Sequence, residues 1–377
     1  MAEYAQYLVN AGHAVDIITS KPGAPKVVRK GGLTIYYDQC ISHPILSNRI
    51  RYLRFYTFTW SASRRLIDGN YDVAHTWLYP YGLALRLARR VRGTPYLYHN
   101  MAEGVGWPSP IDKWFVRQVV RAADEVAALT PRSAANVQRE VGVPVSVLPP
   151  CVDMDTFAPV VKRDLHRPRV LFVSDLYVFR KGLSLLLMAW EQIYRKNPRA
   201  ILTLAGPFGQ GRMGVEDTDW DPFQAIKMLV RDPGARAAIE VLGEGQAGSL
   251  PYQYARASVT VLPSIGDVFG LVLAESLACG TPVVGSAFEG PGDIITDPAI
   301  GATVPITSLA DLYNPDRAAE LAEAILFAMG LASDPASVAR SREHAQQWSR
   351  QAVGTELEKT YAKMLEPRTR RSPAGAA

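Results

Sequence analysis

Two carboxylates, Asp267 and Glu275, stand eight positions apart in TVLPSIGDVFGLVLAESLACGTPVV, residues 260–284. The segment reads as a strand running out through Pro263, a glycine-containing loop, a helix opening near Phe269 and a second strand from Pro282. At the helix start the amides of Phe269, Gly270 and Leu271 lack intrahelical partners, and with the helix dipole they form an anion site for a phosphate or pyrophosphate. A carboxylate repels a phosphate, so Asp267 before the helix and Glu275 in its second turn suit hydrogen bonds from sugar or ribose hydroxyls. Together these groups fit a nucleotide-sugar.

The elements that must hold these residues alternate strand and helix, as a doubly wound α/β sheet does. Ahead of the segment come the buried strand Arg169–Ser174 with Arg180-Lys181-Gly182 after it, the strand Ile201–Ala205 ending in Gly206, and Val241-Leu242-Gly243. The amino-terminal part shows the same alternation. A helix spans residues 2 to 10, a strand Ala14–Thr19, a strand Tyr71–His75, a helix Tyr81–Val91, a strand Pro95–His99 and a helix Ile111–Ala123. The chain has 377 residues, which suits two domains rather than one core. Toward the end, helices are expected over Ala318–Met329 and from Val338 to about Met364, and the tail PRTRRSPAGAA reads as disordered.

Residues 267–284 resemble the retaining glycosyltransferases of family 4, whose signature is Glu, seven residues, Glu around Phe-Gly. Here Asp267 stands for the first Glu, and Phe269, Gly270, Leu271, Glu275 and Ala278-Cys279-Gly280-Thr281-Pro282-Val283-Val284 follow the pattern. The resemblance implies the GT-B fold, two Rossmann-like doubly wound domains facing a cleft. It divides the chain into an acceptor-binding domain at 1–150, a nucleotide-sugar-binding domain at 151–345, a helix at 346–366 crossing back to the first domain, and a tail at 367–377. It gives Asp267 to the transferred sugar, the amides of Phe269, Gly270 and Leu271 to sugar and diphosphate, Glu275 to the ribose, and Leu242, in the segment after Gly206, to the nucleobase side. In the family an Arg and a Lys neutralise the diphosphate; Lys181 is present, Asp175 replaces the Arg, and Arg180 is the candidate to supply the missing charge. A histidine of the first domain usually meets the sugar. His99 is the nearest candidate, although a strict count from Pro95 puts Met101 there. The family's first strand and glycine-rich loop should precede residue 1, so either the start lies too far downstream or the domain lacks its first strand. No cofactor and no obligatory metal is implied, and the run Glu216–Asp221 lacks calcium-loop spacing.

The chain is 48% hydrophobic and 20% charged, as a folded globular protein is. Cys40, Cys151 and Cys279 are too few and too scattered for a disulfide framework or metal cluster. No apolar run is long enough to span a bilayer and no signal peptide opens the chain, so a cytoplasmic place is expected. Residues 49–66 interleave Arg49, Arg51, Arg54, Arg64 and Arg65 with aromatics, and the net charge is +5. Such a segment suits either an anionic membrane surface, on the inner face, or a helix burying its aromatics with arginines reaching water. Nucleic acid is not expected as a partner. The leading expectation is transfer of a sugar from a nucleotide-diphosphate donor to a glycan, lipid-linked or small-molecule acceptor. The alternative is a non-catalytic GT-B subunit that binds a partner transferase or glycan.

Overall fold

The computed structural model describes residues 2–20, 26–38, 53–77, 79–102, 110–206, 220–243 and 250–366. The chain divides into two compact units, Met1–Cys151 with Arg350–Ala377, and Val152–Ser349.

The first unit runs α1 (Ala2–Asn10), β1 (Val15–Thr19), β2 (Val27–Lys30), β3 (Leu33–Tyr37), α2 (Leu53–Asp68), β4 (Ala74–Thr76), α3 (Tyr79–Arg92), β5 (Tyr96–Asn100), α4 (Pro110–Ala122), β6 (Glu125–Ala128), α5 (Pro131–Val141) and β7 (Ser146–Val147). Its strands form two sheets, β1-β3-β2 and the parallel β4-β5-β6-β7. Among the described residues no strand joins β1 to β4; a hydrogen bond of 2.8 Å from the Tyr71 hydroxyl to Asp16 links the two regions. The expected strand at Tyr71–His75 is confined to Ala74–Thr76, and the β2–β3 hairpin was not expected, because exposed Val27–Lys30 shows no inward and outward alternation. Local signals set α5: Thr130 accepts the Ser133 amide at the start, Pro131 fills the first turn and left-handed Gly142 closes the end. Val119, Val137 and Ala84 close the core around Tyr96, whose hydroxyl donates to the Val119 carbonyl.

The second unit holds β8 (Arg169–Val173), α6 (Leu183–Lys196), β9 (Ile201–Ala205), α7 (Pro222–Leu229), α8 (Pro233–Ala237), β10 (Ile239–Leu242), α9 (Leu250–Arg256), β11 (Val259–Leu262), α10 (Leu271–Ala278), β12 (Val283–Ser286), α11 (Glu289–Ile294), β13 (Gly301–Val304), α12 (Pro315–Leu331) and α13 (Pro335–Ala345). One parallel sheet takes the order β10-β9-β8-β11-β12-β13. RVLFV, ILTLA and VTVL are apolar but for Arg169, Thr203 and Thr260, because the central strands are covered on both faces. Leu185, Leu186 and Trp190 of α6 pack with Leu321 and Ile325 of α12, and the Trp190 indole donates to the Ala235 carbonyl at 2.7 Å. The strand order reverses between β8 and β11. Connections leaving these strands go to opposite sides of the sheet, which opens a crevice at their carboxyl ends.

The single long helix expected from Val338 is broken. After α13 comes a 3-10 turn, Gln346–Trp348, whose buried Trp348 accepts the Val152 amide at 2.7 Å, and then α14 (Arg350–Leu365). Helix α14 belongs to the first unit, where Gly354 lies against the Tyr7 ring, Glu358 accepts the Tyr7 hydroxyl at 2.7 Å and Arg350 pairs with Glu3 at 2.5 Å. The 367–377 tail, the acidic positions 216–219 and residues 49–52 of the basic aromatic segment lie outside the described residues. Among the described residues no single helix is long and apolar enough to cross a membrane.

Candidate functional site

The loops that follow β8 and β11 meet at the switch point and bring Lys181 to Asp267. Lys181 ends the 3-10 turn Phe179–Lys181, and its ammonium lies 2.6 Å from Asp267 Oδ1. The two side chains are 20% and 17% exposed, so the pair is less screened than a surface ion pair. The other carboxylate oxygen, Asp267 Oδ2, is buried and has no hydrogen-bond partner, and neither does the nearby Ser264 hydroxyl. Each such buried acceptor or donor costs about 1–3 kcal/mol, which a ligand hydroxyl would relieve. The loops approach so closely that a side chain at Gly182, where φ is +82°, would overlap the Pro263 carbonyl.

Helix α10 begins at Leu271, two residues later than expected, with Gly270 as its cap residue and no side chain bonding its first amides. That leaves the dipole end available to an anion beside the Lys181–Asp267 pair. Phe269 is buried, edge-on to Trp348 at 5.7 Å, and fixes the approach to the helix. Glu275 follows on α10. Burial raises its carboxyl to about pKa 7, against a smaller lowering by the Tyr254 hydroxyl, which donates to Oε2 at 2.9 Å. Tyr254 is fully buried, and its carbonyl accepts the Thr281 hydroxyl at 2.7 Å. At the far end of α10 two guanidinium groups bind carbonyls: Arg163 reaches Gly280 at 2.6 Å and Arg342 reaches Ala278 at 2.6 Å. Cations at that end complement the helix dipole.

Gly206 and Leu242 adjoin at the ends of β9 and β10, the Gly206 amide donating to the Leu242 carbonyl at 3.2 Å. A side chain at 206 would overlap the Ser174 carbonyl, so only glycine fits that close approach. Arg180, the candidate for the missing diphosphate charge, lies against the loop before Asp267. Its exposed guanidinium donates to the carbonyls of Ile265 at 3.2 Å and Gly266 at 3.0 Å, so it shapes the loop that carries Asp267. Asp175 accepts the Tyr177 amide at 3.1 Å within its own turn.

His99 is not presented to a ligand. It has no exposed surface, and both ring nitrogens are engaged inside the first unit. The Tyr361 hydroxyl donates to His75 Nδ1 at 2.9 Å, His75 Nε2–H to His99 Nδ1 at 3.3 Å, and His99 Nε2–H to the Leu148 carbonyl at 2.8 Å. Burial lowers the pKa of His99 to about 4, so the relay is neutral. A strand-end histidine in sequence does not reveal whether its ring turns inward. Tyr254, Arg163 and Ser264 escaped the sequence reading for a related reason: Tyr254 and Arg163 act from 21 and 117 positions away, and a lone serine in a loop carries no signal.

The family model described as Glycosyl transferases group 1 matches residues 153–331, and that described as Glycosyltransferase Family 4 matches residues 1–156. The chain belongs to glycosyltransferase family 4. A D-inositol 3-phosphate glycosyltransferase of Xylanimonas cellulosilytica is 28% identical over 313 residues, 76% of this chain and 71% of that protein. The fold is similar to that of sucrose-phosphate synthase from Thermosynechococcus elongatus, with TM-score 0.77, 22% identity and coverage of 96% of this chain and 92% of that one. It is also similar to Anabaena HepE in complex with UDP and glucose, with TM-score 0.67, 15% identity and coverage of 96% and 95%. This family-4 member is therefore a GT-B glycosyltransferase that uses a nucleotide-sugar donor, and the non-catalytic alternative is not favoured.

Proposed function

We propose that the enzyme transfers a sugar from a nucleotide-diphosphate donor with retention of anomeric configuration, to a glycan, lipid-linked or small-molecule acceptor. The observation that carries the donor assignment is the unpartnered Asp267 Oδ2 beside Lys181 at the uncapped start of α10. Lys181 and the first amides of α10, with Gly270, would take the negative charge that develops on the departing diphosphate. Asp267 would accept a sugar hydroxyl, and Glu275, held by Tyr254, the ribose hydroxyls. Gly206 and Leu242 would border the nucleobase. Nothing in this account needs a metal or a protein nucleophile.

The test is turnover of a panel of nucleotide-sugars by the chain and by its Glu275→Ala variant, with the product anomer read by proton NMR. D-inositol 3-phosphate, named by the relatives, is the first small acceptor to supply. Turnover of one donor with the anomeric configuration kept, and loss of that turnover in the variant, supports the proposal. An inverted product would remove the retention assignment, and undiminished turnover by the variant would remove the Glu275 assignment.

A further inference from the structure

Helices α2, α3 and α4 lie side by side over the β4–β7 sheet. Their inner faces are buried through Phe58 and Leu66, Ala84 and Leu85, and Val116 and Val119, and the Phe58 and Tyr81 rings meet edge to face at 4.7 Å between α2 and α3. Their outer faces alternate apolar and basic side chains one turn apart. On α2 Trp60 is 67% exposed, with exposed Arg64 four residues on. On α3 exposed Arg90 stands between Leu87 and Val91, the latter 56% exposed. On α4 Trp114 is 56% exposed, between exposed Lys113 and Arg117. Arg65 and Arg89 are paired with Asp38 and Asp124, so among the described side chains the outer faces present Arg64, Arg90, Lys113 and Arg117 against exposed Asp68.

Large apolar side chains facing water and framed by cations mark a surface that is covered when the protein works. We infer that the outer face of α2, α3 and α4 docks on an anionic lipid bilayer. Trp60 and Trp114 suit the headgroup layer, where an indole buries its ring and keeps its N–H wet. Leu87 and Val91 gain from the acyl boundary, and Arg64, Arg90, Lys113 and Arg117 from acidic headgroups. Exposed aliphatic residues gain nothing from a nucleic-acid backbone. A second copy of the same face would bring like charges together. The face extends the basic aromatic segment over three helices that are distant in sequence. It goes beyond the transfer reaction and stands without it.

The test uses the full chain and sedimentation with vesicles of phosphatidylcholine alone or mixed with phosphatidylglycerol. The wild type should sediment with the mixed vesicles, stay in the supernatant with the neutral ones, and release as salt rises. Trp60→Ser with Trp114→Ser should weaken binding, and so should Arg64→Glu with Arg90→Glu and Arg117→Glu, each set by about tenfold or more. Circular dichroism and melting temperature, unchanged in both variants, exclude unfolding as the cause. Three results would overturn the inference: no wild-type binding to the anionic vesicles, undiminished binding by either variant, or tighter binding to duplex DNA or to an acidic protein than to the vesicles.

Discussion

Glu275 sets a pH dependence. Its carboxyl titrates near 7 because burial disfavours the charge, whereas the ribose hydroxyls proposed to meet it would donate to the ionised form. Donor affinity should therefore fall about tenfold per unit as pH drops below 7 and level off above it, measured by calorimetry. Removing the hydrogen bond with Tyr254→Phe should move that midpoint to higher pH, because the hydroxyl favours the carboxylate. Glu275→Gln should flatten the profile. Lys181 belongs to the same scale: Lys181→Ala removes the cation proposed to meet the leaving group and leaves Asp267 unpaired, so kcat should fall by about 10²–10³. A fall in affinity alone, with kcat intact, would place Lys181 outside the transition state. For both residues the sequence pattern suggested a place, but the neutral pKa of one and the ion pair of the other come from neighbours 21 and 86 positions away.

At the scale of elements, the site depends on two loops touching at Gly182 and on a helix whose first amides no side chain caps. Gly182→Ala meets both a left-handed backbone and the Pro263 carbonyl, so it should cost about 1–3 kcal/mol or more in urea unfolding. It should also weaken donor binding, because Lys181 and the Ile265–Asp267 loop are held by that contact. The parallel strands of the second unit were legible as apolar runs, since both their faces are covered. The β2–β3 hairpin was not, since its first strand is exposed on both sides, and the break before α14 was hidden because residues 338–364 are helix formers on either side of it.

At the scale of the whole molecule, the first unit is completed by residues from the far end of the chain. Val353, Leu357 and Met364 of α14 share a buried cluster with Tyr4, Leu97 and Leu148. A chain ending at Ser349 should lose cooperative melting of the first unit while the second, with its own core, keeps its transition and its donor affinity. Scanning calorimetry with and without the nucleotide-sugar that the panel identifies checks this. The sequence by itself determined the family, the alternation of strand and helix, and the helix start that Asp267 and Glu275 flank, because these depend on neighbours within a few turns of chain. Only the tertiary structure decided that Lys181 faces Asp267, that Tyr254 supports Glu275, that Arg180 braces a loop and that His99 turns inward. The physical reason is that burial and hydrogen-bond partners are set by which distant segments meet, and no local pattern encodes that.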